Sequence, residues 1–259
     1  MSVFLFDELI FGPVRSRRLG ISLGINLLPK HSKLCTFNCI YCECGWTKNR
    51  SGLRTALPTP TEFADALTTR LSELKGTALQ PQSLTFAGNG EPTMHPDFPE
   101  IIRLTLEIRD KMLPDAKVSV LSNGSMIHQQ SVAQSLRMVD NNILKLDGGK
   151  ERTIKAINMP LKSFKLEEYI QDLQKFNGHL IIQTLFVRGY HNGEYVDNTT
   201  EGEIEAWIDL LRQINPKFVM LYSLERDTPL ENLEKVSAAE LNRIADYLRQ
   251  HEIDAEVYS

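Results

Sequence analysis

The sequence predicts an α/β fold, a partial (β/α)6 TIM-like barrel of parallel strands, and three observations lead there. Short β-rich runs alternate with longer segments of helical periodicity. Polar or glycine-rich clusters close one predicted strand after another. The chain has 259 residues, enough for six or seven strand–helix units, whereas a full eight-fold barrel typically uses about 250 residues without wasting any. Such alternation implies parallel strands joined by right-handed crossovers. A doubly wound flat sheet is the alternative arrangement.

Taken in order, strands are expected over 21–28, 83–87, 117–121, 142–146, 179–187 and 217–221. Helices are expected near 61–75, 97–112, 129–138, 166–176 and 201–213. A final helix over 238–250 precedes a last strand at 255–258. The first helix follows Pro58 and Pro60, and its apolar residues Phe63, Leu67, Leu71 and Leu74 recur at helical spacing. Phe164, Leu166, Tyr169, Ile170 and Leu173 do likewise. Ser237 with Glu240 reads as a capping box opening the last helix. The expectation is one core domain over residues 1–259, with a short N-terminal extension to about residue 18 and no auxiliary-cluster domain.

A net charge of -4 gives no whole-chain reason to expect nucleic-acid binding. The local exception is Arg15, Arg17 and Arg18, a run able to hold a carboxylate or phosphate. The N-terminus lacks a basic leader, and no apolar stretch approaches the roughly 20 residues that span a bilayer. Four clustered cysteines without a secretory signal point to a reducing compartment and metal chemistry. The cytoplasm is the expected location, with no membrane partner.

Cys35, Cys39 and Cys42 form C-x-x-x-C-x-x-C, with Tyr41 just before the third thiol. Three thiolates in one loop can ligate three irons of a cubane cluster and leave the fourth open to bind and reduce a small molecule. Incidental burial of thiols is a poor alternative, because all four cysteines of the chain fall within ten residues. A structural zinc site remains an alternative, although zinc favours paired ligands separated by a spacer. Cys44 lies outside the three-cysteine pattern and reads as a free or small buried thiol.

The remaining polar clusters fall where barrels of parallel strands gather their chemistry, at the carboxyl ends. Gly88, Asn89, Gly90 and Glu91 follow the second strand, and Ser122 and Asn123 the third. Lys145 and Asp147 close the fourth, on one strand face with Leu146 on the other. Gln183 and Thr184 lie within the fifth, and Ser223, Glu225 and Arg226 follow the sixth. Each cluster alone fits an ordinary turn or ion pair; their recurrence suggests one shared site. The six histidines lack zinc-ligand spacing and read as surface or turn residues. Dinucleotide, phosphate-loop, HExxH and GxSxG signatures are absent.

The cysteine motif with its aromatic resembles the signature of the radical S-adenosylmethionine (radical SAM) superfamily. Gly88-Asn89-Gly90-Glu91 matches the position of the superfamily's glycine-glycine-glutamate motif, Ser122-Asn123 its ribose-contacting motif, and Tyr222-Ser223-Leu224 its adenine contacts. More narrowly, Gly12-Pro13-Val14, Ser16-Arg17-Arg18-Leu19-Gly20, Gly88 to Thr93, Lys145-Leu146-Asp147, Ile157-Asn158 and Tyr222-Ser223-Leu224 are similar to small wyosine-base-synthesis-like iron–sulfur oxidoreductases. The resemblance implies a [4Fe-4S] cluster on Cys35, Cys39 and Cys42, with S-adenosyl-L-methionine chelating the open iron. It implies that Gly88 to Gly90 approach the methionine moiety, that Glu91 holds the ammonium group or shapes the turn, and that Ser122 and Asn123 meet the ribose. Reduced ferredoxin or flavodoxin would supply the electron, and a 5′-deoxyadenosyl radical would abstract a substrate hydrogen. Lys145, Asp147 and Gln183 are the candidate catalytic residues, and Arg15, Arg17 and Arg18 further candidate contacts. The substrate is open, with a small molecule favoured over tRNA. An activase of a glycyl-radical partner and a non-enzymatic cysteine-loop metal module are the competing functions.

Overall fold

In this computed structural model, residues 4–47, 57–226, 228–230 and 232–258 are described. Among the described residues eleven strands and seven α-helices follow one another: β1 (Ile10–Ser16), β2 (Gly20–Ile25), α1 (Pro60–Leu74), β3 (Ser83–Phe86), α2 (Phe98–Met112), β4 (Lys117–Ser122), α3 (Gln130–Met138), β5 (Asn141–Lys145), α4 (Glu151–Asn158), α5 (Leu166–Gln174), β6 (Ile181–Leu185), β7 (Val187–His191), β8 (Glu194–Asp197), α6 (Glu201–Ile214), β9 (Val219–Tyr222), β10 (Leu233–Lys235), α7 (Ala238–Gln250) and β11 (Ala255–Tyr258).

The main sheet has eight strands in the order β1-β2-β3-β4-β5-β6-β9-β11, curled as a half-barrel. From β2 to β11 every neighbouring pair is parallel, and only β1 runs antiparallel, against β2. The expected partial barrel is therefore present. The segment expected as an N-terminal extension is part of it: β1 is the edge strand, with a register shift between Phe11 and Val14 around Pro13. A second, three-stranded sheet, β10-β7-β8, was not expected.

Alternation along the strands separates the two faces. Leu23, Ile25, Leu84, Phe86, Val118, Val120, Leu144, Leu146 and Ile182 join one buried cluster with Phe63, Leu67 and Leu71 of α1, Phe98 and Ile102 of α2, and Trp207 and Leu211 of α6. Leu146 thus points to the helices, as the pattern required. The opposite face begins as a hydroxyl ladder. Ser22 and Thr85 hydroxyls are 2.7 Å apart, Ser83 and Ser119 3.0 Å, and the Asn141 amide donates to Ser119 at 3.0 Å. Polar side chains persist there because each finds a partner across the strands. Side-chain capping opens the first and last helices. Thr59 with Glu62 and Ser237 with Glu240 both form capping boxes, the second as expected.

Phe86 is fully buried, its ring centroid 6.3 Å from that of Phe63 and 6.1 Å from that of Phe98. Phe86→Ala is expected to lower unfolding free energy by roughly 3–5 kcal/mol. Urea denaturation followed by circular dichroism measures the shift.

Candidate functional site

The cysteine loop follows β2 and is clamped on both sides by backbone pairing. On one side Leu34 forms a parallel bridge with Gly90: Leu34 N donates to Asn89 O at 2.8 Å and Glu91 N to Leu34 O at 3.0 Å. On the other, Phe37 bridges Pro160, Asn38 N donates to Met159 O at 3.1 Å, and Ile40 N to Ile157 O at 2.9 Å. The α4 helix, which the sequence reading did not expect, provides this second clamp. Met159 ends it in the left-handed conformation, φ 43°.

The first clamp explains the glycine turn. Gly90 has φ +140°, and a Cβ there would stand 1.8 Å from Leu34 O. Only glycine permits both the conformation and the approach. Asn89 is fully buried and donates to Phe6 O (2.7 Å) and Pro29 O (2.9 Å), tying the turn to the N-terminal segment. Glu91 is also buried. It accepts from Thr93 N and Oγ1, from Ser122 Oγ at 2.8 Å and from Asn123 N at 2.6 Å. Burial raises its carboxyl above the ordinary range against the pull of these bonds. Of the two roles expected for Glu91, the geometry displays shaping of the turn.

The sulfurs meet polar neighbours from the end of β4, the end of α4 and the loop itself. The Asn123 amide lies 3.4 Å from Cys35 Sγ, and the Asn158 amide 3.4 Å from Cys39 Sγ. Phe37 N also donates to Cys35 Sγ, at 3.4 Å. Burial pushes the Cys35 thiol up to about 12 and raises Cys39, while Lys33 and Lys145 respectively pull them down. Cys42 differs: the neighbouring Cys44 side chain lowers it to about 5, and Cys44 is raised in turn. Cys44 Sγ itself donates to Gly88 O at 3.5 Å. Lys33 is buried, with Nζ donating to Gly45 O at 2.9 Å. Its burial works against the charge, but the cysteines outweigh that and raise its pKa.

Beneath the loop, Tyr41 joins the strand ends. Its hydroxyl donates to Asp147 Oδ2 and accepts from Lys145 Nζ. Asp147 is fully buried and further accepts from Asn158 Nδ2 at 2.7 Å and Leu185 N at 2.9 Å. Lys145 Nζ is 3.3 Å from Asp147 Oδ2. Burial opposes the lysine's charge, yet Asp147 raises its pKa, so it stays protonated. Gln183 pairs in register with Lys145, donates to Tyr222 OH at 2.6 Å and accepts from Arg18 Nη1 at 2.8 Å.

The structure therefore brings together Cys35, Cys39 and Cys42 with Gly88 to Glu91, Ser122, Asn123, Lys145, Asp147, Gln183 and Tyr222 at one end of the sheet. Ser223 is beside it but committed, donating to Phe186 O and accepting from Val236 N, both at 2.8 Å. Arg18 joins the group. Arg17 instead pairs with Glu225 at 3.3 Å, and Arg15 is exposed. Lys33 and Asn158 are further residues of the site, beyond those expected from the sequence. Ile157-Asn158 carried a signal as part of the subgroup resemblance; a lysine two residues before a cysteine carried none. His95 also departs from expectation, buried with Nε2 3.0 Å from Pro58 O and Nδ1 accepting from Asp97 N.

The donor set fits an iron–sulfur cluster: three thiols in a buried loop, N–H groups aimed at two of them, and two lysines balancing thiolate charge. Among the described residues, no three His, Cys, Asp or Glu side chains close around a single ion.

These features define a partial-barrel protein with a three-cysteine site at the carboxyl ends of its strands. The sequence pattern described as Radical SAM superfamily matches residues 30–199, and the chain belongs to that superfamily. It is 32% identical to UPF0026 protein slr1464 of Synechocystis, over 86% of this chain and 77% of that protein. It is 30% identical to a Brachyspira hyodysenteriae protein named GTPase Obg, over 92% of this chain but only 33% of that one. The chain thus spans about a third of that relative's length. In fold it is similar to a radical SAM methyltransferase from Sphaerobacter thermophilus (TM-score 0.66, 16% identity, covering 92% of this chain and 65% of that one). It is also similar to Streptococcus suis SuiB bound to S-adenosylmethionine (TM-score 0.65, 15% identity, 91% and 50%). Among the described residues no helix is long and apolar enough to cross a membrane.

Gly90→Ala is expected to cost roughly 1–3 kcal/mol or more, because backbone strain adds to the clash with Leu34 O. Thermal unfolding reads the loss. Limited proteolysis should show cleavage moving into the cysteine loop, whereas Gly76→Ala, with nothing within 4 Å, leaves the loop protected.

Proposed function

We propose that the chain is a radical SAM enzyme that reductively cleaves S-adenosyl-L-methionine at a [4Fe-4S] cluster on Cys35, Cys39 and Cys42, and abstracts hydrogen from a small-molecule substrate. The observation that carries this reading is the buried three-thiol loop with amide donors from Asn123 and Asn158 on two sulfurs. When bound, the cluster and S-adenosylmethionine supply the electron and the hydrogen-abstracting radical.

The protein's own residues position and shield. The Leu34–Gly90 and Phe37–Pro160 bridges fix where the three thiols stand. Hydrogen bonds from Asn123 and Asn158 stabilise the Cys35 and Cys39 sulfurs and would tune the reduction potential of a cluster held there. Lys33 balances the negative charge that three thiolates bring into a buried loop. The backbone of Gly88 to Glu91, with Ser122 and Asn123 beside it, forms the bed for S-adenosylmethionine, to which Tyr222 and Ser223 at the end of β9 offer backbone groups, the Ser223 hydroxyl being committed to Phe186 O and Val236 N. Tyr41 and Asp147 sit below the surface and hold Lys145, which with Gln183 faces the substrate side. Cys44 stays outside the ligand set, its Sγ donating to Gly88 O. Reduced ferredoxin or flavodoxin serves as electron donor in the cytoplasm, where thiols remain reduced.

Anaerobic reconstitution tests the reading. About four irons and four sulfides per chain, with 5′-deoxyadenosine released after reduction, are expected. Cys39→Ala should lose both, and Cys44→Ala should keep the cluster. One bound zinc without S-adenosylmethionine cleavage would overturn the proposal.

A further inference from the structure

On the half-barrel's inner face, Lys145 has a carboxylate partner in Asp147, whereas Arg18 has none among the described residues. Arg18 arrives from the turn between β1 and β2, while Leu19 beside it packs with Ile143, Ile181 and Met220 on that face. The guanidinium lies over the Tyr222 ring, 5.0 Å from its centroid, and one N–H donates to Gln183 Oε1 at 2.8 Å. Gln183 is oriented for this from its other end, where its amide donates to Tyr222 OH. Arg17 has its counter-ion in Glu225. Arg18 forms no ion pair among the described residues, although it is half-buried. One strand over, Lys145 is a second cation, with a side chain 13% exposed. Its partner Asp147 is shared with Tyr41, Asn158 and Leu185 N, and so is spent before it reaches Arg18.

A half-buried guanidinium held flat by an aromatic ring and an amide, with most of its donor fork uncommitted, is a preorganised receptor for an oxyanion. The geometry points to Arg18, Lys145 and Gln183 as a subsite that binds the anionic group, carboxylate or phosphate, of the enzyme's substrate. This assignment rests on the radical SAM reading only in naming the ligand as substrate; the anion site itself does not depend on it. Such an anchor fixes the substrate at a remote group, so that a C–H bond elsewhere faces the cysteine loop. A competing location is the cleft of about 990 Å³ at the other ends of β2 to β5, which Arg18 also borders with Lys75, Lys111 and Lys117.

Calorimetric titration of the reconstituted protein with inorganic phosphate and, separately, with glutarate tests the subsite. One saturable anion per chain is expected, weakened roughly tenfold or more in Arg18→Gln, the loss of a charge-assisted hydrogen bond. Affinity should be unchanged in Lys111→Gln, and the tighter of the two probes identifies the group. Absence of binding to the wild-type protein, equal binding to Arg18→Gln, or a loss confined to Lys111→Gln would each overturn the assignment. So would displacement of the anion by S-adenosylmethionine, which would make this that cofactor's own carboxylate contact. Cluster content and 5′-deoxyadenosine release, followed in the same samples, report on the enzyme reading separately. Failure there with Arg18-dependent anion binding intact would remove the ligand's identity as substrate and leave the site.

Discussion

Pairing of the cysteine loop's backbone with two neighbours is the constraint on which the rest of the site depends. A loop carrying three thiols within eight residues has little regular structure of its own. It acquires fixed coordinates by pairing Leu34 with Gly90 and Phe37 with Pro160. Backbone groups that pair in this way are costly to release when buried. The clamps also dictate residue types far from the sulfurs. Gly90 must lack a side chain because Leu34 O occupies its place, and Glu91 must fold back on Ser122 and Asn123 to hold the turn. The glycine-rich turn, the Ser-Asn pair and the end of α4 are thus parts of one scaffold around the thiols.

Electrostatics supplies the second layer. Burying the Cys35 and Cys39 thiols and two carboxylates, Glu91 and Asp147, at one end of a sheet is unfavourable unless each has partners. Asp147 resolves this by accepting from Tyr41, Asn158 and the Leu185 backbone beside Lys145. Because Asn158 serves both Asp147 and Cys39, and Tyr41 lies between Cys39 and Cys42 in sequence, the charge network and the thiol loop are mechanically one unit. Removing one partner from such a network leaves a buried charge behind. This makes Asp147 a residue that acts through Lys145 and Tyr41, from beneath the surface.

Much of the fold was legible because the signals were periodic. Helices over 60–74, 98–112 and 238–250 matched expectation within a residue, since apolar spacing marks all three and capping boxes open the first and last. Elements missed were short or chemically mixed. β1 contains Gly12-Pro13 and Arg15, which obscure a strand pattern, and α4 has eight residues with no side-chain cap. The β7–β8 hairpin did offer a signal: Asn192-Gly193, both at positive φ, form the favoured kind of two-residue turn. The cysteine spacing marked the loop that the structure places at the carboxyl ends of the strands. Lys33, Asn158 and the partnering of Arg18 with Gln183 were not legible, because they depend on which strand lies beside which.

The central claim is that Cys35, Cys39 and Cys42 hold a cluster with one iron open to S-adenosylmethionine. Electron paramagnetic resonance of the anaerobically reconstituted and reduced protein tests it most directly. The account predicts a reduced [4Fe-4S] signal whose g values change when S-adenosylmethionine is added, with the same response in Cys44→Ala. A cluster signal indifferent to S-adenosylmethionine, or one that disappears in Cys44→Ala, would contradict it.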